Sequence, residues 1–121
     1  MISHRDFLDP SHEAPARAGN TGSGGKKVAF FTYIVTNKPR GSLYCGQTDD
    51  INRRAWEHRN RVLKGYSHQY NCTALVWFET FESRENALAR ERQIKNWKRD
   101  WKIELIEMPN PEWSDLSGRL V

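Results

Sequence analysis

Cysteine is scarce in this chain, which has only Cys45 and Cys72 among 121 residues. Their spacing is not the paired pattern of a zinc ribbon, and two cysteines are too few for a disulfide scaffold. A zinc site that adds His58 and His68 to them is disfavoured, because the spacing of the four residues is irregular. We therefore expect both thiols to pack as small apolar groups in a reducing, cytoplasmic setting.

Long apolar runs are also absent. No stretch approaches the roughly 18 apolar residues that a membrane-spanning helix needs. The first twenty residues, MISHRDFLDPSHEAPARAGN, lack the apolar core of a secretory signal. We therefore expect a cytoplasmic protein with no membrane association.

Neither sign of charge dominates, although basic residues are in excess. Lys and Arg number 19 against 15 Asp and Glu, which gives a net charge of +4 and a pI of about 9.3. This excess suits a polyanionic partner but is small enough to serve solubility alone. A hydrophobic content of 37% with five Trp is enough for one modest core, so one domain is expected.

The beginning of the chain has no periodic apolar pattern. Residues 1–27 include the stretch APARAGNTGSGGKK, which is dominated by small and flexible residues. We expect a disordered tail over 1–27 and a folded domain over 28–121.

Three stretches of the domain have the composition of β-strands. VAFFTYIVT is apolar on both alternating faces, NKPRGS contains turn formers, and SLYCGQT is short and strand-like, so residues 28–48 are predicted to form a β-hairpin. CTALVWFETF predicts a third strand. Its two predicted faces are Leu75, Trp77 and Glu79 on one side and Val76, Phe78 and Thr80 on the other.

Helices are predicted after the second and third strands. Asp49 or Asp50 can cap a helix that begins near Ile51 and ends at Gly65. The inner stripe of this helix is predicted to contain Ile51, Arg54, Ala55, His58 and Val62. Ser83 can cap a second helix, which a left-handed Asn96 would end. Its inner stripe is predicted to contain Ala87, Leu88, Glu91 and Ile94.

The C-terminal part of the domain is predicted to contain one more helix and a returning segment. KRDWKIELIEM has a helical pattern that Pro109 stops. The following NPEWSDL is expected to fold back on the domain, with Trp113 and Leu116 as its anchors.

Charged side chains on the inner helix stripes need a partner or an open cleft. Arg54 and His58 face inward from the first predicted helix and Glu91 from the second, and buried charges are rarely left unpaired. One interpretation is a structural Arg54–Glu91 ion pair, with Tyr33 and Tyr44 as ordinary core aromatics. The other is a functional cleft, and the residue pattern alone does not decide between the two.

Four segments in order resemble a known enzyme family. TYIVTN, LYCGQT, RRAWEH and ARERQIKNW are similar to the GIY-YIG endonucleases, and the ending NPEWSDL is similar to that of their short standalone bacterial branch. The resemblance covers roughly residues 29–116. The first tripeptide is FTY, without the family's Gly and Ile, and Cys45 stands at the middle of the second. Both departures spare the tyrosines.

The resemblance implies an α+β fold, with a small three-stranded antiparallel sheet flanked by helices. It also implies an active site that contains Tyr33, Tyr44, Arg54, His58 and Glu91, with side chains that converge on one cleft. Glu91 would hold one Mg²⁺ or Mn²⁺ ion, and Arg54 would bind the scissile phosphate. His58 would hydrogen-bond a phosphate or Tyr33.

The resemblance further implies that Tyr33 is the general base and that Tyr44 orients the attacking water, although the assignment between the two tyrosines stays open. A free phenol has a pKa near 10. This role therefore requires the nearby Arg54 and the metal to favour the phenolate form.

Several residues near this cleft are candidates for contact with nucleic acid. They are Gly46, Arg53, Arg54, Arg59 and Lys95, and other cations of the helices, including Arg90, are plausible phosphate contacts. Gly46 can equally serve a tight strand exit.

The sequence thus predicts a metal-dependent DNA endonuclease of weak sequence specificity, acting in repair, recombination or end processing as a monomer or weak dimer. A nucleic-acid-binding module with little cleavage activity and a protein-interaction domain are the alternatives.

Overall fold

The computed structural model describes residues 29–119. The tail predicted over 1–27 lies outside this range, as do residues 28, 120 and 121. The described elements are, in order, β1 (Phe30–Thr36), β2 (Leu43–Thr48), α1 (Ile51–Arg59), α2 (Tyr66–Gln69), β3 (Ala74–Phe81), α3 (Arg84–Lys95), α4 (Arg99–Glu107) and a short 3₁₀ helix (Leu116–Arg119). The predicted hairpin and third strand are confirmed.

The three strands form one antiparallel sheet in the order β2-β1-β3, so the predicted α+β fold is confirmed. The hairpin register places Tyr33 opposite Gly46 and Val35 opposite Tyr44. Residues that face each other across neighbouring strands point to the same side of a sheet. Tyr33 and Tyr44 therefore lie on one face of the sheet.

Helices cover both faces of this sheet. Ile51 and Ala55 of α1 pack with Tyr33, Val35 and Leu75 on one face, which we call the α1 face. On the opposite face, the α3 face, the core cluster consists of Ile34, Cys45, Val76, Trp77, Ile94, Ile106 and Trp113. The helices that carry Arg54 and Glu91 thus pack on opposite sides of the sheet.

A bulge in the pairing of β1 with β3 changes the predicted alternation of the third strand. Ile34 pairs with Trp77, but Val35 pairs with Leu75, so one residue of β3 has no partner between them. An extra residue in one strand turns the residues beyond it to the other face. Val76 and Trp77 consequently both pack on the α3 face, whereas Leu75 packs on the α1 face. The prediction that Leu75 and Trp77 share a face is wrong.

Helix α1 begins as predicted and ends earlier than predicted. Asp50 is the N-cap, and its side chain accepts a hydrogen bond from the backbone N–H of Arg53. The helix ends at Arg59 instead of Gly65, because Asn60 donates its side-chain amide to Trp56 O and Arg61 takes a left-handed conformation (φ 54°).

Val62 and Gly65 lie beyond the end of α1. Val62 is 51% exposed instead of facing the core, so its side chain adds little apolar burial that could hold a further turn of helix. Gly65, with φ 105°, precedes α2 and serves as its N-cap.

The second predicted helix, α3, has the predicted start. The side chain of Ser83 accepts a hydrogen bond from the backbone N–H of Asn86. Asn96 is the C-cap but has a right-handed conformation (φ −89°), so the predicted left-handed ending is wrong. The extended backbone of Lys98 (ψ 156°) makes the turn into α4 instead.

The returning segment packs as predicted. Trp113 is buried in the cluster of the α3 face, and Leu116 packs against that of the α1 face. Asn110 fixes this return, since its side-chain amide donates to Val76 O and Ser114 O, each at 3.0 Å. Over residues 29–119, none of the helices has the length and apolar character required to cross a membrane.

Candidate active site

A buried hydrogen bond joins β1 to α1. The Tyr33 hydroxyl lies 3.0 Å from Nε2 of His58, and both side chains are buried, with Tyr33 only 1% exposed. The rings meet edge to face, with centroids 5.4 Å apart. Since α1 packs directly on this face, His58, one turn beyond Arg54, is placed against the sheet.

Gly46 leaves the space that Tyr33 occupies. A Cβ at this position would lie 2.6 Å from the Tyr33 hydroxyl oxygen and 3.1 Å from Cε2 of Tyr44, which is closer than such atoms normally approach. Gly46 is also buried. Its position therefore serves the packing of the two tyrosines and offers little surface for a phosphate.

Burial sets the protonation of this pair. Burial is the largest influence on the pKa of His58, and together with the charge of Arg54 it lowers this pKa to about 4. Burial likewise raises the pKa of Tyr33, helped by the proximity of Tyr44 and opposed by Arg54. At neutral pH the pair is therefore an uncharged phenol beside an uncharged imidazole.

This pairing conflicts with the requirement that Tyr33 be a phenolate, since Arg54 does not overcome the effect of burial on the pKa of Tyr33 in the protein without a metal. One ring nitrogen of His58, Nδ1, is buried without a hydrogen-bond partner among residues 29–119. The imidazole therefore has one free nitrogen while the other faces Tyr33.

Tyr44 occupies the more open position. Its side chain is half-buried, and its ring lies 5.7 Å from the His58 ring and 6.5 Å from the Tyr33 ring, measured between centroids. On its other side Tyr44 stacks with the exposed Tyr66 of α2 at 6.3 Å. Lys95 Nζ lies 5.8 Å from the centroid of the Tyr44 ring. Tyr44 thus connects the buried pair with the surface.

Arg54 lies beside both tyrosines and is half-buried. Burial, the largest influence on its pKa, lowers it, but the neighbouring Tyr33, Glu57 and Tyr44 outweigh burial and raise it. Arg54 Nε lies 3.1 Å from Glu57 Oε1, close enough for an ion pair but without hydrogen-bond geometry. Its guanidinium therefore keeps donor capacity that Glu57 does not use.

Glu91 of α3 lies near the edge strand β2, close enough for its charge to help raise the pKa of the Cys45 thiol. Its carboxylate Oε2 lies 2.6 Å from Nζ of Lys95, one turn further along α3. The Arg54–Glu91 ion pair considered from the sequence is wrong, because Arg54 pairs with Glu57 and Glu91 with Lys95. Through Lys95, which lies beside Tyr44, Glu91 adjoins the cluster formed by Tyr33, Tyr44, Arg54 and His58.

The donor set fits a sparsely coordinated metal ion. Among residues 29–119, no group of three or more His, Cys, Asp or Glu side chains is arranged to hold a metal. Glu91 offers a single carboxylate with 16% of its side chain exposed. Mg²⁺ commonly takes one or two carboxylates and completes its octahedron with water and phosphate. One partly exposed carboxylate suits that mode of binding.

The predicted nucleic-acid contacts differ in their accessibility. Arg53 and Arg59 are exposed, with Arg53 Nε 3.2 Å from Glu57 Oε2 and Arg59 Nη2 2.8 Å from Ser117 Oγ. Lys95 is about half exposed, at 48% of its side chain. Arg90 is buried and donates to Glu79 Oε1 at 2.9 Å, so it is a core residue and not a phosphate contact.

The sequence identified Lys95 as a nucleic-acid contact but not as the partner of Glu91, and it did not identify Tyr66. The i,i+4 spacing of Glu91 and Lys95 is a readable signal for an ion pair on a helix. Tyr66 follows the unexpected end of α1, and nothing in its local pattern indicates that it stacks on Tyr44.

Comparison with known proteins places the matched region over this site. Residues 29–104 match the family model described as the GIY-YIG catalytic domain. A UPF0213 protein of Haloquadratum walsbyi is 39% identical over 77 residues, which cover 64% of this chain and 85% of that protein. A UPF0213 protein of Staphylococcus epidermidis is 36% identical over 77 residues, covering 64% and 93%.

Among solved structures, the solution structure of a UPF0213 protein from Bacillus halodurans is similar to the chain. The sequences are 26% identical, and the match covers 72% of this chain and 92% of the other, with a TM-score of 0.46.

Proposed function

The chain belongs to the GIY-YIG family, and from this premise we propose that it is a Mg²⁺-dependent endonuclease that hydrolyses phosphodiester bonds of DNA. The observation that carries the proposal is the meeting of Tyr33, Tyr44, Arg54 and His58 in one cluster that the Glu91–Lys95 pair adjoins. Hydrolysis of a phosphodiester needs a deprotonated water and positive charge where the transition state gains negative charge.

Arg54 supplies fixed positive charge to this reaction. Its guanidinium is always protonated and presents a planar fork of donors that matches two phosphate oxygens. Burial on one side and Tyr33 and Glu57 at its base hold the side chain in place, so little conformational freedom is lost when a phosphate binds. We assign Arg54 to the scissile phosphate.

Tyr44 is the better candidate than Tyr33 for contact with the attacking water. Tyr33 is 1% exposed and its hydroxyl is engaged by His58, whereas Tyr44 is half-buried and faces the surface beside Lys95. Arg54 and Lys95 flank Tyr44, with Lys95 Nζ 5.8 Å from the centroid of its ring. This assignment keeps Tyr44 at the attacking water, as the resemblance suggested, but moves Tyr33 from the role of general base to a supporting role.

Tyr33 and His58 support Tyr44 from behind. The uncharged imidazole accepts or donates one hydrogen bond at Nε2, and its Nδ1 has no partner among residues 29–119. We assign the pair to holding the Tyr44 ring and Arg54 in position. Gly46 makes this arrangement possible by leaving room for both tyrosines.

Glu91 is the proposed metal ligand. When bound, Mg²⁺ would supply stabilisation of the leaving oxygen and charge neutralisation at the phosphate. The position of the ion relative to the tyrosines follows from Lys95, which pairs with Glu91 and lies 5.8 Å from the centroid of the Tyr44 ring.

The exposed cations around the site suit contacts with the phosphate backbone. Arg53, Arg59 and Lys95 lie on the two helices that carry Arg54 and Glu91. Backbone contacts position a nucleic acid without reading its sequence. We therefore propose cleavage that depends on DNA structure more than on sequence, in repair, recombination or the processing of ends.

A panel of labelled single-stranded, duplex, flapped and branched DNAs, incubated with Mg²⁺ or Mn²⁺, tests the proposal. The expected result is metal-dependent nicking by the chain and its loss in Glu91→Gln, with DNA binding retained. Glu85→Gln, an exposed acid on the same helix, is the matched control and should cut normally. Salt-sensitive binding without any cleavage would indicate a binding module, and no binding would reject both functions.

A further inference from the structure

Lys95 occupies the carboxylate that the metal is proposed to use. Its ammonium nitrogen lies 2.6 Å from Glu91 Oε2, and the two residues are one turn apart on α3. The hydrogen bond with Glu91 is the main reason that the pKa of Lys95 is raised, with burial opposing it. In the protein without metal, Glu91 is therefore neutralised by a neighbour of its own helix.

A divalent cation and this ammonium group compete for Glu91. Both would lie within bonding distance of one carboxylate, where two positive charges repel strongly because Glu91 is only 16% exposed. The metal can thus bind at full strength only if Lys95 withdraws. Lys95 has a long, flexible side chain and is 48% exposed, so withdrawal requires no change in the backbone.

A second position, beside Tyr44, is available to the withdrawn ammonium group of Lys95. Its nitrogen already lies 5.8 Å from the ring centroid of Tyr44, which lies next to Arg54, the proposed phosphate ligand. Rotation of its flexible side chain towards Tyr44 would therefore bring the charge closer to the phosphate site proposed at Arg54. A bound phosphate offers Lys95 a new anionic partner and so frees Glu91.

We propose that Lys95 is an exchangeable counter-cation of Glu91, which a divalent metal displaces and which the substrate phosphate then accepts. The inference rests on the proposed function and adds regulation to it. Metal and nucleic acid should strengthen each other's binding, since the metal releases Lys95 for the phosphate and the phosphate draws Lys95 away from the metal ligand, and such coupling is reciprocal. The site would hold metal weakly until a phosphodiester is present.

Metal binding in the absence of nucleic acid tests the proposal without using activity. The full chain and Lys95→Met are titrated with Mn²⁺ by calorimetry. We expect Lys95→Met to bind Mn²⁺ about five- to twentyfold more tightly, the range expected when a partly screened like charge is removed. Arg92→Met, which removes an exposed cation of the same helix, should stay within about twofold of the parent by the same reasoning.

Cleavage measured against metal concentration gives a second readout. Lys95→Met should reach half-maximal rate at lower Mn²⁺ but have a lower maximal rate, because the metal enters more easily and the phosphate loses a cation. Lys95→Arg, which keeps the charge, should remain close to the parent in Mn²⁺ affinity. A simple loss of stability would not raise the apparent affinity for Mn²⁺ while it lowered the maximal rate.

The two proposals fail in distinguishable ways. If the parent binds Mn²⁺ and cuts DNA but Lys95→Met binds Mn²⁺ no more tightly, the role of Lys95 is refuted and the nuclease proposal stands. If neither protein binds Mn²⁺ and the parent does not cut, both proposals are refuted.

Discussion

The Tyr33 hydroxyl lies 3.0 Å from Nε2 of His58 in a buried site, whereas the neighbouring Tyr44 faces the surface. This difference separates two tyrosines that belong to the two tripeptide motifs of one hairpin. One belongs to the core that supports the site, and the other is accessible to water and substrate.

The two tyrosines should respond differently to loss of the hydroxyl. Tyr44→Phe should reduce cleavage by orders of magnitude with little change in stability, because its side chain is only half-buried. Tyr33→Phe leaves Nε2 of the buried His58 unpaired and should lower the free energy of unfolding by about 1–3 kcal/mol. Urea denaturation and a nicking assay on both variants check this, with the exposed Tyr70→Phe as control. The opposite order of stability losses would contradict the assignment.

Stability should fall on mild acidification because of His58. Its pKa is about 4 in the folded protein and about 6.5 when unfolded, so only the unfolded state takes up the proton between these values. The contribution is complete above about pH 6.5 and is lost as the pH falls towards 4, by on the order of 3 kcal/mol. The groups that face the ring are Tyr33 and Tyr44 of the sheet and Arg54 and Glu57 of α1.

Urea denaturation at about pH 7 and about pH 4.5 measures this effect. Carboxylates also titrate in this range, so their contribution is subtracted with a variant that lacks the imidazole. His58→Gln should lose clearly less stability between the two pH values than the parent. Equal losses in both proteins would show that His58 does not titrate as expected.

Gly46 should not tolerate a methyl group. In Gly46→Ala the Cβ would lie 2.6 Å from the Tyr33 oxygen and would push the ring away from His58. We expect about 1–3 kcal/mol of destabilisation and a large loss of cleavage. Gly118→Ala is the control, since a methyl group there would point into open space, with no described atom beyond its chain neighbours within 4 Å. Thermal melting of both variants decides, and an unchanged midpoint for Gly46→Ala would be incompatible with this packing.

The sequence predicted the elements well where local signals agree with the packing. Asp50 and Ser83 cap their helices as expected, and the strands follow their apolar patterns. The end of α1 was mispredicted because it depends on the side chain of Asn60 and on the left-handed Arg61, neither of which has a strong sequence signal. The bulge in β3 is set by pairing with a distant strand, so alternation along one strand cannot reveal it.

The candidate site was predicted more completely as a set of residues than as an arrangement. The resemblance supplied Tyr33, Tyr44, Arg54, His58 and Glu91, but it did not indicate which tyrosine is buried. Nor did the resemblance identify the ion-pair partners of Arg54 and Glu91, because these partners depend on how the helices pack on opposite faces of the sheet.

Arg90 should be a determinant of stability. Its buried guanidinium donates to Glu79 Oε1 at 2.9 Å and lies against the rings of Trp77 and Trp97, at 5.8 and 5.4 Å from their centroids. Removal of a buried, paired charge typically costs about 3 kcal/mol or more, so Arg90→Leu should melt far below the parent. The exposed Arg92→Leu should change stability by less than about 0.5 kcal/mol. Similar midpoints for the two variants would place Arg90 outside the core.

Glu91→Gln distinguishes a metal ligand from a structural acid. The carboxylate pairs with Lys95, which is about half exposed, and not with Arg54, so no buried cation is left behind when it is neutralised. The loss of unfolding free energy should therefore stay below about 1 kcal/mol. Cleavage should fall by orders of magnitude, and DNA binding should persist or strengthen because a negative charge has been removed near the phosphate.

Thermal melting without metal and a Mg²⁺-dependent nicking assay, both on one preparation, measure the two effects of Glu91→Gln together. Glu85→Gln provides the baseline for neutralising an acid on the same helix. A variant that melts like the parent, binds DNA and does not cut fits a residue kept for chemistry. A strongly destabilised variant, from a parent that never cuts DNA, would instead make Glu91 a structural residue and would remove the main support for a nuclease.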